Sequence, residues 1–299
     1  MSSVFANGLE WRSIDRLSIV TPLGIRFWDA ALDRPIPHGL RVEARPLSGG
    51  RATRALATPS GVYVFHGLPG LGALELGHVD RMPDPESRGF RITVVDDQRR
   101  FLPVRFDVQL PFPVEVVDGV EQPYDGLLRL MPGSNEQRVF LFSTASRPTP
   151  AGLAAVRGQV SELPAEPPDA PLVPAAGALI EIGVDGAQFF GLADASGNFA
   201  AIFPYPSFDS PSNGEPPAET RITDQTWEVT TRVRYTPPEA GSQPEQVRDL
   251  LAILAQPPAA VRDPTTGDFG AERHDQLRFG RDLVIRSDDI PALVIRAGA

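Results

Sequence analysis

Apolar and polar positions alternate along Leu23-Gly24-Ile25-Arg26-Phe27-Trp28-Asp29, the period of a strand with one buried face, and this run predicts the first strand. Beyond the polar, proline-containing turn Asp33 to Gly39, Leu40-Arg41-Val42-Glu43-Ala44 alternates again. Ala52 to Thr58 predicts a third strand, closed by Pro59-Ser60-Gly61. Val62-Tyr63-Val64-Phe65 predicts a fourth, running into the turn His66-Gly67-Leu68-Pro69-Gly70. Phe90 to Val95 and Phe101 to Val108 flank the polar tip Asp96-Asp97-Gln98-Arg99-Arg100 and read as a hairpin. Short strands at this spacing point to an antiparallel sandwich.

The chain then partly repeats itself. Leu153 to Val160 supplies a strand, and after the proline-rich insert Glu162 to Pro174 the segment Gly177 to Ile182 answers Gly39 to Ala44. Ala193 to Phe203 answers Ala57 to Phe65. Gly39 and Gly177 stand at an offset of 138, and Ser60 and Ser196 at 136, so the register holds and predicts two copies of one module. Trp227 to Tyr235 reads as a late strand of the second copy. Glu121 to Pro132 is a turn-rich connection, and Arg138-Val139-Phe140-Leu141-Phe142 fits a strand of either module. Phe208 to Ala218, dense in Ser, Pro, Gly and Asn, reads as an exposed loop. Pro244 to Ala255 predicts a helix, with proline at its start, acid in the first turn and Val247, Leu250, Leu251 and Leu254 at helical spacing. Leu277 to Arg286 and Pro291 to Arg296 read as a final pair of short strands. The expectation is a mainly β chain: two tandem antiparallel β-sandwich domains of transthyretin- or Ig-like form, with a small helix-plus-strand C-terminal extension. Its parts are a lead over residues 1–18, sandwiches over 19–120 and 121–240, and the extension over 241–299.

Composition narrows the classes. The 299 residues suit two domains, and the 41% apolar content with 27 glycines provides enough material for cores. The 32 prolines disfavour a mostly helical or doubly wound architecture. No cysteine is present, which excludes disulfides, thiolate zinc sites and cysteine nucleophiles. The net charge is −10 and every basic residue is an arginine, with no basic tract to hold nucleic acid. Arginine forks bidentately onto carboxylates, so an Arg-only set suits fixed ion pairs at interfaces; a GC-rich coding bias gives the same composition. Met1 to Val20 lacks the apolar core of a signal peptide, and no stretch approaches the roughly 20 apolar residues of a membrane span. The expected setting is cytoplasmic synthesis, followed by assembly into a particle that stays inside or is released.

Candidate chemistry is sparse. His38, His66, His78 and His274 share no helical face, and His78 has an acid two positions on, at Asp80; turn or surface histidines are expected rather than a metal site. Asp194-Ala195-Ser196-Gly197-Asn198 has the composition of a calcium loop but lacks its alternating acids and terminal glutamate, so a hairpin turn is expected. Asp96-Asp97 and Asp288-Asp289 are acid pairs of the type glycoside hydrolysis uses, but adjacent acids on hairpins usually face water. Neither a G-x-S-x-G elbow nor a lysine-bearing Gly-rich loop occurs. Trp11, Trp28, Trp227 and Tyr205 would stack sugars if they lined one groove, yet Trp28 and Trp227 sit in alternating strands and suit a core. The expectation is a non-enzyme with no catalytic, cofactor or metal residues and with unassigned binding residues.

Arg26-Phe27-Trp28-Asp29, Pro37 to Ala44 and Ser60 to Gly70 resemble a carboxypeptidase-regulatory-like module, which implies a transthyretin-like sandwich without catalysis. Val156 to Val160, Gly177 to Ile182 and Asp194 to Phe203 resemble it a second time, with Phe203-Pro204-Tyr205-Pro206 in place of the Gly-Leu-Pro-Gly turn. Val139 to Pro148, Gly152 to Gly158 and Ala193 to Pro206, in this order, are similar to proteins of phage-tail-like extracellular contractile injection systems. That similarity implies a structural part of a particle, partnered by cap, tube, sheath or baseplate proteins and self-associated in a ring of threefold or sixfold symmetry. Similar cap proteins carry a further N-terminal domain not found in this sequence, so the resemblance fits a cap adaptor better than a cap. A carbohydrate- or peptide-binding β-sandwich, including a receptor-binding part of a baseplate or fibre, is the alternative.

Overall fold

The computed structural model describes residues 4–6, 9–11, 21–76, 88–110, 114–117, 120–123, 139–164, 171–206, 225–238, 247–287 and 290–298. The predicted loop Phe208 to Ala218, His78, Asp80, Asp288-Asp289 and the predicted helix start Pro244 to Gln246 lie outside these residues.

The chain opens with a hairpin of β1 (Val4–Ala6) and β2 (Leu9–Trp11). The first module runs through β3 (Leu23–Asp29), β4 (Arg34–Pro35), β5 (Leu40–Pro46), β6 (Thr53–Arg54), β7 (Leu56–Ala57) and β8 (Val62–Phe65). The short helix α1 (Gly72–Glu75), β9 (Arg88–Asp96) and β10 (Val104–Leu110) follow. β11 (Val114–Val117) pairs with β12 (Val120–Pro123), and β13 (Val139–Leu141) then lies parallel to β3. The second half contains β14 (Leu153–Glu162), β15 (Val173–Pro174), β16 (Leu179–Val184), β17 (Ala187–Leu192), β18 (Asn198–Pro204) and β19 (Thr226–Arg234). An excursion follows, made of β20 (Arg248–Asp249) and α2 (Leu250–Leu254). β21 (Pro258–Arg262), β22 (Phe269–Gly270), β23 (Arg273–Arg278), β24 (Leu283–Ile285) and β25 (Leu293–Arg296) complete the fold.

The architecture is mainly β, as the alternating pattern predicts. In the first module a sheet ordered β20-β10-β9-β5-β6 faces a sheet ordered β13-β3-β8-β7. Their inward positions, among them Ile25, Phe27, Tyr63, Phe90, Ile92 and Phe106, form one apolar core. In the second half β14, β16 and β19 are the backbone of a larger hydrogen-bonded network around a second core that includes Val156, Ile180, Ile182, Phe199 and Phe203.

The sequence repeat corresponds to a repeat of topology. β3 pairs antiparallel with β8 as β14 does with β18, and β5 with β9 as β16 does with β19. β9 pairs with β10 as β19 does with β23, and a late strand lies parallel to the opening one in each half, β13 on β3 and β24 on β14.

Three local expectations are corrected. The predicted helix begins at Leu250, because Arg248 and Asp249 are extended and pair in parallel with Val104 and Arg105 of β10. Asp249 caps it: its Oδ1 accepts the Ala252 N–H at 3.0 Å, so the residues before it cannot continue the helix. The buried residues of α2 are Leu250 and Ile253, whereas Leu251 is exposed. Ala52 to Thr58 is two strands instead of one: β6 pairs with β5 in one sheet and β7 with β8 in the other, and buried Ala55 turns the corner between them. The tail forms three strands, β23, β24 and β25, where a pair is expected.

Candidate functional site

The most elaborated polar chemistry lies where the two halves meet. β3 ends in Asp29, a buried carboxylate whose Oδ1 accepts the backbone N–H of Ala31. Arg147, in the segment between β13 and β14, donates Nη1 to Asp29 Oδ1 at 3.0 Å and Nη2 to Oδ2 at 2.6 Å. Nη1 also donates to Ser143 Oγ, and the guanidinium carbon lies 4.8 Å from the centroid of the Phe101 ring. From the second half, Arg157 on β14 donates to the carbonyls of Ala145 and Arg147, to Thr149 Oγ1 and to Asp282 Oδ2. The connecting segment is thus held at one side by a bidentate ion pair and at the other by an arginine that satisfies its carbonyls. Bidentate pairing fixes direction as well as distance, so the segment is a joint rather than a tether.

The excursion is a second tie. β20 extends the first module's sheet beside β10, and Leu250 and Ile253 of α2 enter the first core. Leu179 and Leu192, which face outward from β16 and β17, enter that core as well. At its other side the excursion holds the second module: Gln256 Nε2 donates to the Gly177 carbonyl at 3.0 Å, and a methyl group on Gly177 would stand 2.5 Å from Arg248 Nη1. In the first module Arg100 covers the matching Gly39 in the same manner. Burial and the Glu162 carboxylate both raise the Tyr235 phenol above its ordinary value, and neighbouring Arg248 offsets part of that rise.

Two clefts bear on the second module. One, of about 730 Å³, lies on the second module over Gly183, whose missing side chain makes a floor between Gln188 and Thr230 across the sheet. The Arg232–Glu272 ion pair rims it, as does Glu181, which pairs with Arg234. The Arg232 bond, with His274 nearby, holds Glu272 below the ordinary carboxylate value despite some desolvation. The other, of about 620 Å³, lies at the junction between the β9–β10 tip, Thr144 to Ser146 and Asp194.

The residues singled out in the sequence separate in space. His38 is an exposed turn residue whose carbonyl accepts from Arg100. His66 meets Glu75 at 2.8 Å, and His274 meets Glu228 at 2.8 Å and Glu272 at 3.4 Å. Among the described residues no group of three or more His, Asp or Glu converges in a way that would hold a metal. Asp194 organises a hairpin turn, its Oδ1 accepting the N–H groups of Ser196 and Asn198. Asp96 is buried while Asp97 is exposed, and Asp96 accepts from Arg100 and from the N–H groups of Gln98, Arg100 and Phe101. The two are therefore not a facing acid pair. Tyr205 and Trp227 do meet, 5.3 Å between ring centroids, and Phe279 packs on Tyr205 at 4.7 Å. Trp28 lies on β3 of the other module with its indole N–H on Asp33, apart from Tyr205 and Trp227.

Sequence reasoning missed Arg147 and Asp29 as partners, since 118 positions separate them; the only local signal is a carboxylate closing an otherwise apolar alternation. The class that fold and junction define is a mainly β, sandwich-built protein with a repeated topology. No protein-family model matches the chain, and no curated protein matches it.

Proposed function

We propose that the chain is a non-catalytic structural or adaptor component of a larger particle. The resemblance in its sequence makes that particle a contractile injection system, with a cap-adaptor or other tail-end position as the place. The observation that carries the reading is the double tie between the halves, the buried Arg147–Asp29 pair and the β20–α2 excursion, which couples the two cores into a stiff unit. A part that sits between neighbours and transmits force needs such a joint more than it needs a reactive constellation. Its partners in this reading are cap, tube, sheath or baseplate proteins and further copies of itself, met after cytoplasmic synthesis. Among the described residues no helix is long and apolar enough to cross a membrane. The test is sedimentation of a native-host lysate through a sucrose gradient, with the protein followed by antibody. Migration with megadalton sheath-and-tube particles is expected; retention near the top as a monomer or small oligomer in mild salt overturns the reading.

The cleft over Gly183 supports a second reading, a carbohydrate- or peptide-binding module. Its floor is small and polar, and the carboxylates of Glu181, Asp185, Glu228 and Glu272 and the Arg232 guanidinium line it, groups that pair with a ligand's hydroxyl or amide groups. Titration with glycan and peptide panels distinguishes this reading: saturable binding weakened by Thr230→Trp, which fills the floor, is its signature.

A further inference from the structure

The whole-chain charge hides a basic surface. The chain carries 38 acidic residues and 28 arginines. Its charges are unevenly placed. Leu40, Val42 and Ala44 of β5 and Phe90, Ile92 and Val94 of β9 point into the first core, which turns the alternate positions outward. On that outward face Arg41 and Arg45 come from β5, Arg91 from β9, Arg105 from β10 and Arg54 from β6, against Glu43 and Asp107. The register sets Arg45 directly opposite Arg91, a like-charge pair that costs stability unless an anion lies beside it. Asp107 meets Arg91 at 2.8 and 2.9 Å. Arg41, Arg45 and Arg54 have no carboxylate partner among the described residues.

At the edge of the same module a cleft of about 420 Å³ continues the pattern. The turn Ser48-Gly49-Gly50 forms one wall and Arg51 and Arg88 flank it, each without a carboxylate partner among the described residues. Face and cleft together present five guanidiniums, of Arg41, Arg45, Arg51, Arg54 and Arg88, with no carboxylate partner among the described residues.

We infer that this face and cleft are a docking surface for an acidic segment of a partner protein. The inference rests on the structural role proposed above and names the chemistry of one neighbour. A nucleic acid fits less well. The outward positions of β5, β9 and β10 carry no aromatic side chain on which bases would stack. Glu43 and Asp107 interrupt the face where a continuous phosphate backbone would pass, whereas a protein segment can place its own cations there.

The full-length chain tests this by fluorescence anisotropy with a labelled oligoglutamate peptide at low and at physiological ionic strength. Saturable binding that weakens with salt is expected. The Arg45→Glu/Arg54→Glu variant should weaken it about tenfold or more, and Arg51→Ala/Arg88→Ala by several-fold. Arg281→Glu/Arg286→Glu, on the exposed surface of the other module, should leave it unchanged. Thermal melts confirm that each variant remains folded, as exposed sites allow. Absence of binding, binding indifferent to the face variants, or tighter binding of a single-stranded oligonucleotide of equal charge overturns the inference. Particle co-sedimentation without peptide binding removes the docking surface alone; peptide binding without co-sedimentation removes the particle role alone.

Discussion

Arg147 and Asp29 stand 118 positions apart in the chain and form a two-point ion pair with 6% and 7% of their side chains exposed. Removing one partner leaves the other charge buried without compensation, a loss of about 3–5 kcal/mol for pairs of this type. Arg147→Ala should lower the unfolding free energy by that order. The Asp29→Asn/Arg147→Met double variant should cost less than the two single changes together, because it leaves no unpaired charge. Urea titration of the three variants decides it; an Arg147→Ala loss below about 0.5 kcal/mol would mean that the joint is held by packing alone.

Asp96 gives the fold a pH dependence. Burial by itself would raise its pKa, but the Arg100 guanidinium and the surrounding backbone N–H groups outweigh burial and hold it below its ordinary 3.8. A depressed folded-state pKa gives stability that is fully present above the unfolded value and lost as pH falls through the folded one. The melting temperature of Asp96→Asn should therefore lie furthest below wild type near neutrality, and the gap should close as pH falls under 3.8. Parallel melts across this range check it; a gap that does not change with pH means that the carboxylate charge contributes nothing.

Where a strand has one buried face, the sequence shows it plainly: β5, β9 and β10 keep a strict period of two because each second residue enters one core. The repeat is legible for the same reason, since equivalent strands bury equivalent faces. β17 is not legible, because Phe189 packs on the second core while its neighbour Phe190 packs on the first, and burial on both faces erases alternation. The start of α2 is misread because Val247 to Leu254 has helical spacing on its own, and only pairing with β10 makes Arg248 and Asp249 extended. The basic face leaves no trace as a tract, since its arginines stand singly on four strands and meet only through register.

The excursion should couple the two halves measurably. Ile253 is 2% exposed within the first core although it belongs to a segment between strands of the second half. Ile253→Ala should cost about 2–5 kcal/mol through lost burial and the cavity left behind. Asp249→Ala should cost about 1 kcal/mol through the lost cap. Hydrogen exchange locates the damage. Ile253→Ala should deprotect amides of β10 as well as α2, because β20 and α2 cover that edge together. Deprotection confined to α2 would show that the excursion merely rests on the first module.

Gly197 separates backbone strain from crowding. It sits in the turn before β18 at φ +80°, and a Cβ there would stand 2.4 Å from the carbonyl oxygen of Val160. That oxygen accepts the Ala175 N–H at 3.0 Å, while Val160 donates its own N–H to Gly197, so the carbonyl cannot move without opening the neighbouring bonds. Gly186, between β16 and β17, has φ +74° and nothing within 4 Å of the same methyl position. Alanine at either site meets the left-handed penalty, about 1–2 kcal/mol. Only at Gly197 must it also displace backbone, and its cost should be at least about twice that at Gly186. Urea titration of Gly197→Ala and Gly186→Ala compares them directly. Equal costs would show that the turn shifts freely and that Val160 does not anchor it.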